Sequence, residues 1–230
     1  MEWWQILLIV LGSLLVLFVI CIIFYKQFGK RLFDIAISFL SLLVFGFPML
    51  IISIIVKLTS KGPVLFKQKR IGKNGKVFNI LKFRTMVVGA EAQGVYSDNK
   101  DKRVTKFGKF LRKTSLDELP QLLNMFIGQM SLIGPRPPLT YHPWPYEEYT
   151  NEQRKMFLVR SGMTGWAQVH GRKEVEWNER IELNVWYVEH LSFWLDFKIF
   201  FMTFGKLFKA EGNQNKGETV KKQDKKEESK

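Results

Sequence analysis

The chain opens with an apolar segment that constrains everything it can fold into. Residues 6–25 are Ile, Leu, Val and Phe, broken only by single Gly, Ser and Cys residues and ended by Tyr25. At a rise of about 1.5 Å per residue, a helix of this length crosses the ~30 Å hydrocarbon core of a bilayer. Trp3 and Trp4 precede the segment, where interfacial anchors belong. We predict an N-terminal transmembrane helix over residues 1–25. A cleaved signal peptide, the alternative, would need a basic start and a small-residue cleavage site.

Basic residues directly after this helix orient it in the membrane. Lys26, Lys30 and Arg31 follow within a few residues of its end. Short loops rich in Lys and Arg stay on the cytoplasmic side of a membrane. The sequence therefore predicts that the N-terminus lies outside and that the rest of the chain lies on the cytoplasmic face.

A second apolar run spans residues 35–56 and has basic residues on both sides. Gly46 and Pro48 lie near its middle, and a proline removes a helical hydrogen bond and clashes with the preceding turn. Because both flanks favour the cytoplasmic face, we predict a re-entrant helical hairpin over residues 26–60 that is broken at Pro48. A kinked second crossing is the open alternative, since proline is common in membrane helices.

The positive charge of the chain is concentrated in one segment. The whole sequence carries +14, and residues 26–113 alone hold 19 basic and 4 acidic residues, a net charge of +15. A hydrophobic content of 47% excludes a disordered basic protein. One cysteine and three scattered histidines argue against a disulfide scaffold and a zinc site. A membrane-tethered, non-enzymatic protein that binds anionic lipid or nucleic acid remains an alternative to an enzyme.

The remainder of the chain predicts a helix-rich α+β protein. Residues 61–190 should form a cytosolic catalytic domain, in which Asn74-Gly75 between two apolar and basic runs signals a type I′ β-hairpin. Residues 191–210 combine a narrow polar stripe with aromatic and aliphatic faces, which favours an amphipathic helix in the bilayer interface. Residues 211–230 are rich in Lys and Glu and are predicted to be a disordered tail.

An acidic pair lies at the start of a predicted amphipathic helix. Apolar residues recur at helical spacing over residues 116–127, and Ser115 with Glu118 fits the capping box of a helix that begins there. On that interpretation, Asp117 and Glu118 only decorate a helix end. Adjacent carboxylates close to a strongly basic segment also suit magnesium-assisted phosphoryl transfer. Downstream, the IGPRPP turn fixes Arg136, whose guanidinium can fork onto phosphate oxygens.

Six motifs occur in a fixed order along the chain: KRLFDIAISFL, KFRTM, TSLDELPQLLN, MSLIGPRP, TGWAQVHGR and FWLDFKI. Together they resemble the bacterial sugar transferase family, the monotopic phosphoglycosyl transferases that begin glycan assembly on polyprenyl phosphate. The resemblance covers about residues 30–209. It implies an enzyme on the cytoplasmic face of the bacterial cell membrane that performs the first membrane step of surface polysaccharide or glycoconjugate synthesis. The implied partners are a UDP-sugar, undecaprenyl phosphate and the lipid bilayer, without a nucleic acid.

The resemblance further implies a two-step reaction and a role for each polar residue. Asp117 attacks the β-phosphate of the UDP-sugar and releases UMP, and undecaprenyl phosphate then takes the sugar phosphate from Asp117. Glu118 supports the transfer, and the two carboxylates hold Mg²⁺. The cations expected to bind substrate phosphates are Lys82, Arg112, Arg136 and Arg172. Those expected to meet the lipid phosphate are Lys30 and Arg31.

The chain departs from the family pattern at four positions. Phe47 precedes Pro48 where Ser is common, and Asn184 stands where many members carry Asp. Ser161 replaces a common Pro, and His170 replaces a common Asn. The Phe47 change leaves open how the break at Pro48 is hydrogen-bonded, and the other three changes leave metal and substrate binding open. The sequence predicts neither the sugar nor the oligomeric state. A conventional glycosyltransferase that releases UDP is a further alternative.

Overall fold

The structure, a computed structural model, describes residues 2–90, 101–170 and 176–209. It confirms a helix-rich α+β fold with two small sheets. The helices are α1 (Trp3–Ile23), α2 (Lys30–Thr59), α3 (Lys106–Thr114), α4 (Gln121–Phe126), α5 (Asn151–Arg154), α6 (Trp166–Val169), α7 (Trp177–Glu189) and α8 (Phe193–Lys209). The strands are β1 (Leu65–Ile71), β2 (Val77–Phe83), β3 (Met130–Ile133) and β4 (Ser161–Thr164).

Two helical stretches among the described residues are long and apolar enough to cross a membrane, namely α1 and Tyr25–Thr59. In α1 the apolar side chains point outward on every face, and Cys21 is its one buried residue. A helix that is apolar all round needs either a protein core or lipid around it. Since little of the protein covers α1, lipid is the environment that its composition suits.

A tight junction joins the two apolar helices. Residues Tyr25–Gly29 form a π-helical turn, and a Cβ on Gly29 would lie 2.0 Å from the carbonyl oxygen of Cys21, so the close approach of the chain requires glycine there. The rings of Phe18 and Phe33 meet edge to face at 5.9 Å. Because these residues lie on opposite sides of the junction, the end of α1 packs back against the start of α2.

Helix α2 is continuous through Pro48, so the predicted break does not divide it into two helices. Its first turns and its last turns both pack against the folded domain, the latter through Ile52 and Val56. Residues 43–47 are all exposed, which covers more than one helical turn, so little of the described protein covers this part of α2. The re-entrant path stays a prediction.

The β-hairpin is confirmed. Strands β1 and β2 pair antiparallel, from Leu65 opposite Phe83 to Ile71 opposite Val77. Asn74 and Gly75 both have positive φ, 55° and 75°, as the central residues of a type I′ turn require. The predicted turn residues therefore set the hairpin, although the loop includes the flanking residues 72–76 as well.

The predicted helix that begins at Ser115 is wrong. Ser115 has a left-handed conformation with φ 58° and makes no side-chain capping bond, so it ends α3 instead of starting a helix. Only a single 3₁₀ turn, Leu116–Glu118, fits before Pro120, and α4 begins after that proline. The acidic pair consequently lies in a tight connection between two helices.

Candidate active site

Five of the predicted site residues come from four different elements and lie together. Lys82 is near the end of β2, Arg112 is in α3, and the acidic pair occupies the 3₁₀ turn. Arg136 follows β3. Salt bridges link Glu118 to Lys82 and Arg136, and Lys82 and Arg112 both act on the pKa of Asp117. The site therefore combines two carboxylates with three cations.

Glu118 is held by cations. Its Oε1 lies 2.6 Å from Nζ of Lys82 and 3.7 Å from Nη2 of Arg136. Burial alone would raise the pKa of this carboxyl group, but Lys82 and Arg136 outweigh burial and lower the pKa of Glu118 to about 2. Glu118 is therefore ionised at every physiological pH.

Asp117 has a different environment from its neighbour. Among the described residues no cation lies within 4.0 Å of its carboxylate, so it is not tied into a salt bridge. Burial and the adjacent Glu118 raise the pKa of Asp117 to about 6, against the opposing effects of Lys82 and Arg112. The sequence placed Asp117 at the start of a helix, but Ser115 does not start one, and burial is the largest effect on the pKa of Asp117.

The raised pKa predicts how the activity depends on pH. In the reaction that the resemblance implies, the carboxylate of Asp117 attacks phosphorus only when it is ionised, so the rate of that first step should fall about tenfold per pH unit below about pH 6. The Lys82→Met change should move the midpoint upward, because Lys82 lowers the pKa of Asp117. Single-turnover measurements of nucleotide release across this range test both statements. A midpoint at the ordinary aspartate value of about 4 would contradict them.

Arg112 is oriented by a residue that the sequence did not single out. Its Nε donates to Oγ1 of Thr85 at 2.9 Å, and Thr85 is buried just beyond β2. Burial lowers the pKa of Arg112, with a smaller opposing effect from Asp117, yet an arginine keeps its charge in proteins. Thr85 is the threonine of the KFRTM motif, so its motif membership was the available signal.

The position of Arg136 depends on close backbone packing. Strands β3 and β4 form a parallel pair, and the amide of Gly134 donates to the carbonyl of Thr164 at 2.8 Å. A Cβ on Gly162 would lie 2.1 Å from the nitrogen of Gly134, so the two backbones meet where only glycine fits. Arg70 of β1 adds a bond of 2.9 Å from Nη1 to the carbonyl oxygen of Pro137. Neither the parallel pair nor the role of Arg70 was predicted from the sequence.

The structure gives Lys30 and Arg31 partners inside the protein. Nζ of Lys30 binds the buried carboxylate of Asp196 in α8, which also accepts hydrogen bonds from Tyr25 and Tyr187. Arg31 donates from Nη1 and Nη2 to the carbonyl oxygens of residues 125 and 126, each at 2.7 Å. Both cations thus fasten α2 to the domain. Their predicted contact with a lipid phosphate stays a prediction.

The remaining predicted positions lie apart from these contacts or are not described. Arg172 lies outside the described residues, as does the tail at 211–230. Asn184 is buried in α7, and its Oδ1 accepts no hydrogen bond from the described residues. Ser161 is buried in β4, whereas His170 is exposed and rests against the ring of Trp166 at 3.7 Å between centroids.

The carboxylates of the site suit a magnesium ion only if substrate phosphates bind the ion as well. The described residues contain no group of three or more His, Cys, Asp and Glu side chains that could hold a metal ion. Magnesium usually binds one or two carboxylates together with substrate phosphates. Asp117 and Glu118 supply such a pair, although Lys82 already occupies one oxygen of Glu118. The residues present are compatible with the ion but do not form a cage for it.

The fold and the site define a class: a protein with apolar, membrane-compatible helices and a carboxylate pair set among three cations. Comparisons with known proteins identify its family. The family model for bacterial sugar transferases matches residues 25–210. The uncharacterized sugar transferase EpsL of Bacillus subtilis (strain 168) is 43% identical over 186 residues, which cover 80% of this chain and 90% of that protein. The chain belongs to the bacterial sugar transferase family, and the resemblance found in its motifs is confirmed.

Two longer relatives have names that state a reaction. The UDP-glucose:undecaprenyl-phosphate glucose-1-phosphate transferase of Klebsiella pneumoniae is 45% identical over 185 residues. The undecaprenyl-phosphate galactose phosphotransferase of Salmonella typhimurium is 35% identical over 203 residues. The matches cover 78% and 81% of this chain but only 40% and 42% of those proteins. The chain therefore spans about two fifths of these relatives.

Proposed function

We propose that this chain is an initiating phosphoglycosyl transferase that moves a sugar-1-phosphate from a UDP-sugar to undecaprenyl phosphate, with release of UMP. The observation that carries the proposal is the contrast between the two adjacent carboxylates. Lys82 and Arg136 bind Glu118, whereas no described cation forms a salt bridge with Asp117. A carboxylate free of ion pairs in a cationic site is suited to attack phosphorus.

The proposed chemistry has two balanced displacements at one phosphorus atom. In the first, a carboxylate oxygen of Asp117 bonds to the β-phosphorus of the UDP-sugar, and the bond to the bridging oxygen breaks, so that UMP leaves with the electron pair. In the second, a phosphate oxygen of undecaprenyl phosphate attacks the same phosphorus and Asp117 departs as a carboxylate. Splitting one difficult transfer into two steps is the usual advantage of a covalent intermediate.

The cations stabilise the charge that these steps carry. Arg136 is half exposed while Lys82 is mostly covered, so the site opens to solvent on the arginine side. A guanidinium at that opening can bind a diphosphate through two parallel hydrogen bonds. Mg²⁺, held by Asp117 and Glu118 with substrate phosphates, would neutralise further negative charge on the phosphates. The named relatives act on glucose and galactose phosphates, which supports a hexose donor.

The identity of the released nucleotide tests the proposal. Full-length protein in detergent is incubated with undecaprenyl phosphate, Mg²⁺ and a panel of UDP-hexoses and UDP-N-acetylhexosamines, and the nucleotide product is identified by chromatography. We expect UMP with at least one donor and only in the presence of protein. Release of UDP would instead support a conventional glycosyltransferase. Absence of any product across the panel would favour the non-enzymatic, lipid-binding alternative.

We also propose that α2 enters the membrane and returns to the cytoplasmic face, so that the enzyme is monotopic in this segment. A straight helix of 30 residues is about 45 Å long and would place its ends on opposite sides of a bilayer. Both ends of α2 nevertheless pack against the same domain, through Arg31 at the start and Val56 near the end. The exposed stretch at 43–47 then corresponds to the part inserted in lipid.

Labelling of single cysteines tests this path. Gln27 and Lys61 are exposed residues on either side of α2, and a Cys21→Ser background removes the native thiol. In inverted membrane vesicles, whose cytoplasmic face is outward, both Gln27→Cys and Lys61→Cys should react with an impermeant maleimide. In right-side-out vesicles neither should react. Labelling of the two positions from opposite faces would establish a complete crossing and refute the re-entrant path.

A further inference from the structure

Two arginines meet at the end of α4, away from the acidic pair. Arg31 contacts the carbonyl oxygens of residues 125 and 126, and Nε of Arg160 donates to the carbonyl oxygen of Gly128 at 2.9 Å. A Cβ on Gly128 would lie 3.1 Å from Nη2 of Arg31. Both guanidinium groups therefore border the same glycine.

Neither arginine forms a salt bridge with a described residue. Asp34 offsets part of the charge of Arg31 from a distance, but its carboxylate accepts hydrogen bonds from Ser131 and the amide of Leu132. The two cations are close enough to repel each other. Each guanidinium carries five N–H donors, and the described bonds use two on Arg31 and one on Arg160. Most donors of the pair therefore remain available to an anion that would relieve the repulsion.

The surroundings of the pair indicate where that anion comes from. Phe126 and Ile127 are exposed beside it, and the ring of Phe126 lies 6.4 Å from that of Phe39 in the apolar helix α2. Exposed apolar side chains next to unpaired cations are typical of the level at which hydrocarbon gives way to lipid headgroups. A soluble anion would have no need of this apolar border.

We propose that Arg31 and Arg160 together form a binding site for the phosphodiester headgroup of an anionic membrane lipid. Neither arginine is among the described groups that contact or act on Asp117 and Glu118, which are Lys82, Arg112, Arg136 and Arg70. The ligand of this site is a structural lipid that takes no part in the transfer reaction, so Arg31 binds this lipid instead of the acceptor phosphate that the resemblance implied for it. A guanidinium pair can hold the two unesterified phosphate oxygens by parallel hydrogen bonds, and the acyl chains then lie along Phe39 and Phe126.

Native mass spectrometry of the full-length protein tests this site. The protein is released from detergent micelles doped with equal amounts of phosphatidylglycerol and phosphatidylcholine, and the bound lipids are counted. We expect the wild type to retain about ten times as much phosphatidylglycerol as phosphatidylcholine. One charge-assisted hydrogen bond contributes about the binding free energy that corresponds to this factor. Arg160→Gln should reduce that preference to near parity, and Arg160→Lys should keep part of it. Lys76→Gln, which removes one positive charge from the exposed hairpin turn, should leave it unchanged.

Three results would overturn the proposal. The wild type could show no preference for the anionic lipid, or Lys76→Gln could reduce the preference as much as Arg160→Gln does, which would indicate general charge attraction. Excess inorganic phosphate could displace the lipid completely, which would identify a site for free phosphate. Nucleotide release in lipid-free detergent is a separate measurement, so failure of the lipid site and failure of the transferase proposal are distinguishable.

Discussion

Asp117→Asn should abolish nucleotide release, with a fall of at least about 10³-fold in the rate of the first step. The amide that replaces the carboxylate is nearly the same size but has no negative charge and is a poor nucleophile. The salt bridges of Glu118 do not involve Asp117, so the cationic site should keep its geometry. The expected loss is therefore one of chemistry and not of folding.

The covalent intermediate provides a second readout of the same variant. Wild-type protein incubated with a UDP-sugar and Mg²⁺, but without undecaprenyl phosphate, should gain the mass of one hexose phosphate on the intact chain. Asp117→Asn should gain nothing. Glu152→Gln is the matched control, because Glu152 is an exposed carboxylate whose partner is Lys155 in the same segment. A mass gain or UMP release that persists in Asp117→Asn would refute the proposed nucleophile.

Gly162→Ala should destabilise the domain by about 3 kcal/mol or more. The added methyl group would lie 2.1 Å from the nitrogen of Gly134 and 2.3 Å from the carbonyl oxygen of Thr164. Both neighbours are backbone atoms held in the β3–β4 pair, so neither can move aside as a flexible side chain would. Arg136 follows Gly134 closely along the chain, and its position relative to Glu118 should be lost as the pair separates.

Thermal unfolding in detergent measures this effect, and Gly205→Ala is the matched control. Gly205 lies in α8, where a Cβ would meet nothing within 4 Å. Alanine is favoured over glycine in a helix by about 1 kcal/mol, so this control should be neutral or slightly stabilised. Equal melting temperatures for Gly162→Ala and the wild type would show that the β3–β4 contact is looser than the distances indicate.

Short sequence patterns predicted the elements whose conformation depends mainly on neighbouring residues. Asn74-Gly75 predicted the hairpin because few other dipeptides accept two positive φ values. The apolar runs predicted that α1 and α2 are helical, because a long stretch without charge suits few other structures, although the break expected at Pro48 does not divide α2. The resemblance implied one site made of Lys82, Arg112, Asp117, Glu118 and Arg136; these residues lie together, and their roles stay predictions.

The failures arose where distant parts of the chain decide the outcome. The Ser115 capping pattern was correct as a local motif, but the end of α3 imposes a left-handed conformation on that residue. The pairing of β3 with β4 joins residues about thirty apart, and two four-residue strands carry no periodic signal. The partners of Lys30 could not be foreseen, because Asp196 lies 166 residues further along the chain.

The fastening of α2 to the domain has a consequence for how the proposed reaction meets its lipid acceptor. Asp34 accepts from the amide of Leu132 at 2.9 Å, and Arg31 binds the last carbonyls of α4, whose first turn follows the acidic pair. These are direct hydrogen bonds and not a flexible linker, so the height of Asp117 above the bilayer is fixed. An acceptor anchored in the same bilayer then reaches the site by lateral diffusion alone. The search for the second substrate becomes two-dimensional, and the encounter rate should scale with the surface density of the acceptor, not with its bulk concentration.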